Sequence, residues 1–141
     1  MKIPASSSEI SVEWLNSMLS SDNKIVSFEI DENFGPWSLL GKAVRVKLGW
    51  EKAESEPKSV IVKFQVSCSN PKREGEIYNF LKESNVQFIP KLFGIFGDGN
   101  LVMEDLSLTH LVDYNDFIIS QVRKVVSIIA DVNSRFWNDS R

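Results

Sequence analysis

The stretch Ser59-Val60-Ile61-Val62-Lys63-Phe64 is an apolar run that contains a single charged side chain. β-branched and aromatic residues surround the lysine, and this composition is typical of a buried β-strand. An unpaired ammonium group in such surroundings would cost several kcal/mol. The sequence therefore predicts either a carboxylate beside Lys63 or a lysine side chain that extends along the strand end to solvent.

Glu74 is the candidate partner for this lysine. It stands near the start of a helical pattern about ten residues beyond the strand. Its helical face is shared with three apolar residues, Ile77, Tyr78 and Leu81. We expect that face to pack on the sheet and to bring Glu74 next to Lys63. Glu76 projects from a different side of the helix and is the weaker candidate.

The flanking segments predict four further strands and two further helices. Alternating or short apolar patterns predict strands at 25–31, 44–48, 92–96 and 101–103. The first three strands of the chain, of which the strand with Lys63 is the third, predict an antiparallel meander, and the turn Gly97-Asp98-Gly99-Asn100 predicts that the last two form a hairpin. Helical spacing predicts a short first helix after a capping residue, Ser8, and a helix of about four turns at 122–137. Residues 107–120 read as a linker with a short helix. The fold class is α+β, with a five-stranded antiparallel sheet, one inserted helix and flanking N- and C-terminal helices.

Composition limits the classes of function. A chain of 141 residues with 43% hydrophobic and 25% charged content predicts one compact domain. The net charge of −3 and the scattered lysines argue against a nucleic-acid partner. No apolar stretch approaches the length of a membrane span, and the N-terminus has no signal-peptide core, so we expect a cytoplasmic protein without a membrane partner. One cysteine and one histidine give no metal cluster of zinc spacing.

The loop before the second strand nearly satisfies a phosphate-binding pattern. It reads Gly35-Pro36-Trp37-Ser38-Leu39-Leu40-Gly41-Lys42-Ala43. A Walker A loop is excluded, because the glycines are one residue too far apart and Ala43 lacks the magnesium-binding hydroxyl. The period after Gly41 is also that of a strand, whereas a P-loop opens a helix. Two interpretations remain, a plain hairpin or a glycine-containing turn whose backbone approaches phosphates.

Five segments, taken in order, resemble the N-terminal lobe of the aminoglycoside phosphotransferase and choline kinase-like superfamily, especially its ecdysteroid kinase-like branch. They are Val12-Glu13-Trp14-Leu15-Asn16, Pro57-Lys58-Ser59-Val60-Ile61-Val62-Lys63, Arg73-Glu74-Gly75-Glu76-Ile77-Tyr78, Pro90-Lys91-Leu92-Phe93-Gly94-Ile95 and Leu101-Val102-Met103-Glu104-Asp105-Leu106. The resemblance covers nearly the whole chain. It implies a protein-kinase-like N-lobe that binds ATP.

The resemblance also implies roles for single residues. Lys63 would contact the α- and β-phosphates of ATP, and Glu74 would orient it. A hinge from Met103 through Glu104 to Leu106 would bind adenine through its backbone. The turn before the second strand would contribute three residues to the nucleotide site, Gly35, Ser38 and Gly41. For the segment from Met103 to Leu106, the other interpretation is a strand end with a solvated acidic pair.

The family's catalytic motifs are not found in these 141 residues. In the family a His-Gly-Asp loop followed by an asparagine, and a later aspartate, supply the base and the Mg²⁺ ligands. His110 has no Gly-Asp after it. The last predicted helix resembles the family's Leu-Ala-x-Leu-His-Ala-x-Phe-Trp segment, but Asn133 stands where the family usually has the histidine. No catalytic residue and no metal ligand is therefore assigned, and Mg²⁺ ligands are expected only in a C-lobe.

The implied domain organisation has three parts. Residues 1–24 form an N-terminal helix, 25–106 the nucleotide-binding N-lobe, and 107–141 a linker and the first helix of a truncated C-lobe. We expect the N-lobe of a small-molecule kinase that is inactive by itself, with a small hydroxylated substrate in a longer form. The alternatives are a nucleotide-binding or regulatory module without catalysis, which associates through the helix at 122–137, and a remnant that binds no ligand.

Overall fold

A computed structural model describes residues 2–32, 41–52, 57–65, 72–84, 86, 89–108 and 119–136. This part of the chain confirms the α+β fold, with a five-stranded antiparallel sheet and three α-helices. The strands are β1 (Ile25–Asp31), β2 (Gly41–Trp50), β3 (Ser59–Gln65), β4 (Leu92–Phe96) and β5 (Asn100–Glu104). The helices are α1 (Val12–Leu19), α2 (Arg73–Glu83) and α3 (Ile119–Phe136), and short 3₁₀ turns span Ser7–Glu9 and Leu106–Leu108.

The strand order in the sheet is β1-β2-β3-β5-β4. The first three strands form the predicted antiparallel meander, and β4 and β5 form the predicted hairpin. Gly97 and Gly99 take positive φ angles of 54° and 109° in its turn, which glycine adopts without steric cost. β5 lies beside β3, so Leu101 is opposite Lys63 and Met103 is opposite Ile61.

Helix α1 begins three residues later than predicted from Ser8 as its cap. Ser11 is the N-cap, since its side chain accepts a hydrogen bond from the Trp14 N–H at 3.2 Å. Ser8 instead lies in a separate 3₁₀ turn. The Asn16 amide then ties α1 to β1, donating to the Ile25 carbonyl at 3.0 Å and accepting from the Ile25 N–H at 2.9 Å.

The main core lies on the side of the sheet that α1 covers, which we call the α1 face. Its fully buried centre is made by α1 and by alternate residues of the strands. The buried members are Ile10, Trp14, Leu15, Ile25, Val44, Val46, Val60, Val62, Phe64, Phe96 and Val102. The Trp14 ring meets the Phe96 ring edge-on, with centroids 4.9 Å apart. Helix α1 thus shares the core of the sheet.

Helix α2 packs on the opposite side, the α2 face, through a glycine. Gly75 is buried, and a Cβ atom there would stand 2.7 Å from Cδ1 of Ile95. The expectation that Ile77 packs on the sheet is wrong, because its side chain is 47% exposed. The helix approaches through its smallest residue, which turns Ile77 outward while Tyr78 packs against the β3 and β5 side chains.

Helix α3 begins at Ile119, three residues before the predicted start, and is described to Phe136. Its exposed large apolar side chains are Ile119, Val122, Val125, Val126 and Ile129. Of the linker predicted at 107–120, residues 109–118 lie outside the described residues, as does Trp137. None of the described helices combines the length and the apolar content needed to cross a lipid bilayer.

Candidate functional site

Lys63 and Glu74 form the predicted pair. The alternation of β3 directs Lys63 to the α2 face, and the first turn of α2 carries Glu74 to the same place. The Lys63 Nζ atom lies 2.8 Å from both Oε1 and Oε2 of Glu74. The side chains are 19% and 31% exposed, respectively. The prediction of a paired lysine is confirmed, and the alternative of a lysine extended to solvent is wrong.

Gln65 is a third member of this cluster that the sequence did not reveal. Its Nε2 atom donates to Oε2 of Glu74 at 2.6 Å, and its backbone N–H donates to Oδ1 of Asn100 at 2.8 Å. The available signal was its position two residues after Lys63, which places both side chains on one face of the strand. We call Lys63, Gln65 and Glu74 the Lys63 cluster.

The Lys63 cluster holds an ammonium group in a defined position. An ammonium group carries three donors, and two directions are used by the carboxylate of Glu74. Gln65 donates a hydrogen bond to the same carboxylate. Glu74 is thus held by both Lys63 and Gln65, and it fixes the orientation of the ammonium group. A fixed, partly buried ammonium is the kind of group that binds phosphate oxygens.

A second polar cluster lies at the other end of the α2 face. The Asp105 carboxylate accepts from Nε of Arg45 at 2.8 Å, from Oγ of Ser59 at 2.6 Å, and from the N–H and Oγ of Ser107 at 3.0 and 2.5 Å. Arg45 also donates from Nη2 to Oγ of Ser107 at 2.5 Å. We call these four residues the Asp105 cluster. The Asp105 side chain is 1% exposed, so the interpretation of a solvated acidic pair is wrong for Asp105.

Opposing influences act on the pKa of Asp105. Burial alone raises the pKa of a carboxyl group, because it disfavours the charged form. The hydrogen bonds from Ser107 and Ser59, followed by the charge of Arg45, outweigh burial and hold the pKa of Asp105 below its ordinary value. Asp105 is therefore ionised at neutral pH.

The three predicted hinge residues surround this buried aspartate in the sequence. Met103 is buried on the α2 face opposite Ile61. Glu104 is exposed at the end of β5, where its backbone N–H donates to the Lys91 carbonyl at 2.8 Å and its Oε2 atom accepts from the Lys91 N–H at 3.0 Å. Leu106 begins the 3₁₀ turn that follows.

An apolar floor separates the two polar clusters. It contains Ala43, Ile61, Leu101 and Met103, which belong to three adjacent strands. Along β3, Lys63 lies four positions after Ser59, which corresponds to about 13 Å of extended chain between the two clusters. The α2 face thus has a small, mostly buried apolar floor with a paired cation at one end and the exit of β5 at the other.

Gly41 has a packing role of its own in the structure. It begins β2 opposite Gln65, and a Cβ atom there would collide with the Phe64 carbonyl oxygen. A glycine is therefore needed for the close pairing of β2 and β3, whether or not a ligand is present. Gly35 and Ser38, the other predicted residues of this turn, lie outside the described residues.

A cavity of about 430 Å³ lies between the C-terminal half of α2 and the ends of β4 and β5. It is lined by Tyr78, Lys82, Val86, Ile89, Pro90, Lys91, Leu92 and Glu104. Burial, and next the charge of Glu74, raises the pKa of Tyr78. Among the predicted site residues that the structure describes, only Glu104 lines this cavity, and no member of the Lys63 cluster does.

Within the described ranges, no three acidic, histidine or cysteine side chains come close enough together to hold a metal ion. Comparison of the sequence with models of protein families and with curated proteins, and of the structure with solved structures, finds no match. The site must therefore be interpreted from its own geometry.

Proposed function

We propose that this chain is the nucleotide-binding N-lobe of an ATP-dependent phosphotransferase that acts on a small hydroxylated molecule. The observation that carries the proposal is the Lys63–Glu74 pair, in which one ammonium lies 2.8 Å from both carboxylate oxygens. A lysine on the third strand, paired with a glutamate on the following helix, is the arrangement with which kinases hold the α- and β-phosphates of ATP.

The strand order and the α2 face support this proposal. The inserted helix, the order β1-β2-β3-β5-β4 and the apolar floor beside Lys63 suit a kinase-like N-lobe. An adenine ring over Ala43 and Met103 would place its edge near the backbone of Glu104 and Leu106. The phosphates would then extend along β3 toward Lys63. This pose uses every predicted nucleotide-binding residue that the structure describes except Gly41, whose role is explained by packing.

The proposal assigns binding, and not the chemical step, to these residues. Lys63 would hold the phosphate oxygens, and Glu74 and Gln65 would keep the ammonium in place. Bound Mg²⁺ would neutralise charge on the transferring phosphate, but no ligand for it is assigned here. We expect the 141 residues to bind ATP without turnover, so ADP release with small hydroxylated acceptors should stay at the level of buffer alone. Turnover by this chain would contradict that part of the proposal.

A matched pair of lysine variants tests nucleotide binding. Lys63→Met removes the candidate phosphate ligand, whereas Lys47→Met removes a lysine on the same face of the sheet that pairs with Glu29 at 2.9 Å. We expect Lys63→Met to weaken MgATP binding at least about tenfold by calorimetry, and Lys47→Met to change it less than about twofold. Equal effects of the two substitutions, or no ATP binding by the unmodified chain, would refute the proposal.

A second candidate function is a nucleotide-binding module that regulates a partner without transferring phosphate. The exposed apolar side of α3, from Ile119 to Ile129, favours it, because apolar side chains gathered on one exposed surface mark sites of association. Sedimentation with and without ATP tests this candidate. A mass that is monomeric and unaffected by ATP would count against self-association of such a module.

A further inference from the structure

The Asp105 cluster joins three separate parts of the chain. Arg45 belongs to β2, Ser59 begins β3, and Asp105 and Ser107 follow β5. Each oxygen of the Asp105 carboxylate accepts two hydrogen bonds. Every donor lies within 3.0 Å, and the described part of the chain contains no buried side-chain N or O atom without a partner. This arrangement fixes the position of the chain where it leaves the sheet.

The Asp105 cluster also determines the local shape of that exit. The Oδ1 atom of Asp105 accepts the Ser107 N–H, which closes a turn of the type that aspartate forms with the backbone two residues ahead. The 3₁₀ turn Leu106–Leu108 starts inside this closure. On the preceding side, Glu104 is held to Lys91 by backbone and side-chain hydrogen bonds. The backbone from 104 to 107 is thus anchored at both ends.

Packing alone does not explain an ionised carboxylate at this position. Well-packed apolar residues can replace a buried ion pair with little loss or even a gain of stability, so a buried charge is weak evidence of a stabilising role. Charged networks of this kind specify one geometry, because every donor direction is set by a partner. The Asp105 cluster imposes such a geometry on residues 104–107, the segment that is expected to bind the adenine base.

We propose that Asp105 is a positioning residue for base recognition, which acts by holding the backbone of residues 104–106 at the edge of the apolar floor. This inference rests on the proposed function. Asp105 itself does not touch the nucleotide; Arg45, Ser59 and Ser107 occupy its carboxylate. Recognition through backbone groups requires placement within about 0.5 Å, and the Asp105 cluster provides that placement.

The test separates the binding of the base from the binding of the phosphates. Calorimetry gives the dissociation constants of MgATP and of magnesium tripolyphosphate, which has the phosphates without adenosine, for the intact chain and three variants. Asp105→Asn removes the charge at nearly constant shape. Ser107→Ala removes one hydroxyl and keeps the contact of Arg45 with Asp105. Lys47→Gln, two residues from Arg45 on β2, is the control. Circular dichroism selects a temperature at which each variant is folded.

We expect the unmodified chain to bind MgATP at least about tenfold more tightly than tripolyphosphate. Asp105→Asn should bring this ratio close to one while the tripolyphosphate constant changes less than about twofold, and Ser107→Ala should lower the ratio in part. Lys47→Gln should leave both constants unchanged. If Asp105→Asn does not fold, the Ser107→Ala ratio decides.

Three results would overturn the inference. If Asp105→Asn weakens the binding of both ligands equally, Asp105 has only a structural role. An unchanged ratio in Asp105→Asn and Ser107→Ala would show that the Asp105 cluster does not serve the base. Equal affinities of the unmodified chain for MgATP and tripolyphosphate would show that the base is not recognised, while phosphate binding by Lys63 would remain supported. Binding of neither ligand is distinguishable from these, because it refutes the proposed function as well.

Discussion

The two faces of the sheet differ in what they bury. The α1 face buries aromatic and aliphatic side chains around Trp14, and all the fully buried positions of its centre are apolar. The α2 face holds a small apolar floor between two charged clusters, those of Lys63 and Asp105. The same strands supply both faces, because successive side chains of a strand point to opposite sides.

This difference separates stability from binding. Apolar burial stabilises the folded chain in proportion to the area removed from water, so the α1 face should carry most of the stability. Partly exposed ion pairs contribute little, yet they fix charged groups in defined positions. Under the proposed function, the α2 face is the part of the molecule that binds the charged ligand. Substitutions on the two faces should separate these roles.

The largest effect is expected on the α1 face. Trp14→Ala removes the almost completely buried ring that contacts Phe96 and should lower the free energy of unfolding by about 4 kcal/mol. Urea denaturation followed by circular dichroism measures the change, and Trp14→Phe, which keeps a ring, should lose less. A loss below about 1 kcal/mol for Trp14→Ala would show that this face is not the main core.

Asp105→Asn should have the next largest effect and a distinctive pH dependence. Loss of charged hydrogen bonds should cost about 2 kcal/mol at pH 7. Because the folded state lowers the pKa of Asp105, its contribution is complete above the unfolded value of about 3.9 and is lost as the pH falls through the folded pKa. The difference in urea midpoint between the variant and the unmodified chain should therefore shrink below about pH 4. A difference that is constant from pH 7 to pH 3 would contradict this assignment.

Lys63→Met should change stability less than either of these substitutions. The pair of Lys63 with Glu74 is partly exposed, so its removal should cost about 1 kcal/mol or less, although ATP affinity is expected to fall. Thermal unfolding of Lys63→Met measures the loss of stability. A stability loss as large as that of Trp14→Ala would assign the Lys63 cluster to the core and not to a ligand.

The smallest effect is expected for an exposed pair on the α2 face. Lys47 and Glu29 lie 2.9 Å apart across β1 and β2, and both side chains are more than half exposed. Lys47→Gln should change the free energy of unfolding by no more than about 0.5 kcal/mol, with even less effect in high salt. A larger change in urea denaturation would mean that position on the α2 face, and not burial, governs the strength of its ion pairs.

Local patterns predicted the elements and one pair of the candidate site. The alternation at 25–31 and 44–48 and the Gly97–Asn100 turn gave strands that the structure contains, because periodicity and turn residues act over a few positions. Lys63 and Glu74 are eleven residues apart and belong to neighbouring elements. Their pairing could therefore be predicted from the helical face that Glu74 shares with apolar residues. The cap at Ser8 was wrong, since several serines precede α1 and only one of them meets a helix N–H.

The sequence by itself determined the α+β class, the strand meander and Glu74 as the candidate partner of Lys63, because each follows from local polarity and spacing. Only the tertiary structure decided that β5 lies between β3 and β4, that Gly75 is the contact of α2, and that Asp105 is buried. Arg45 and Asp105 are 60 positions apart. No local pattern around either residue predicts the other as its partner, since their contact depends on the order of the strands in the sheet.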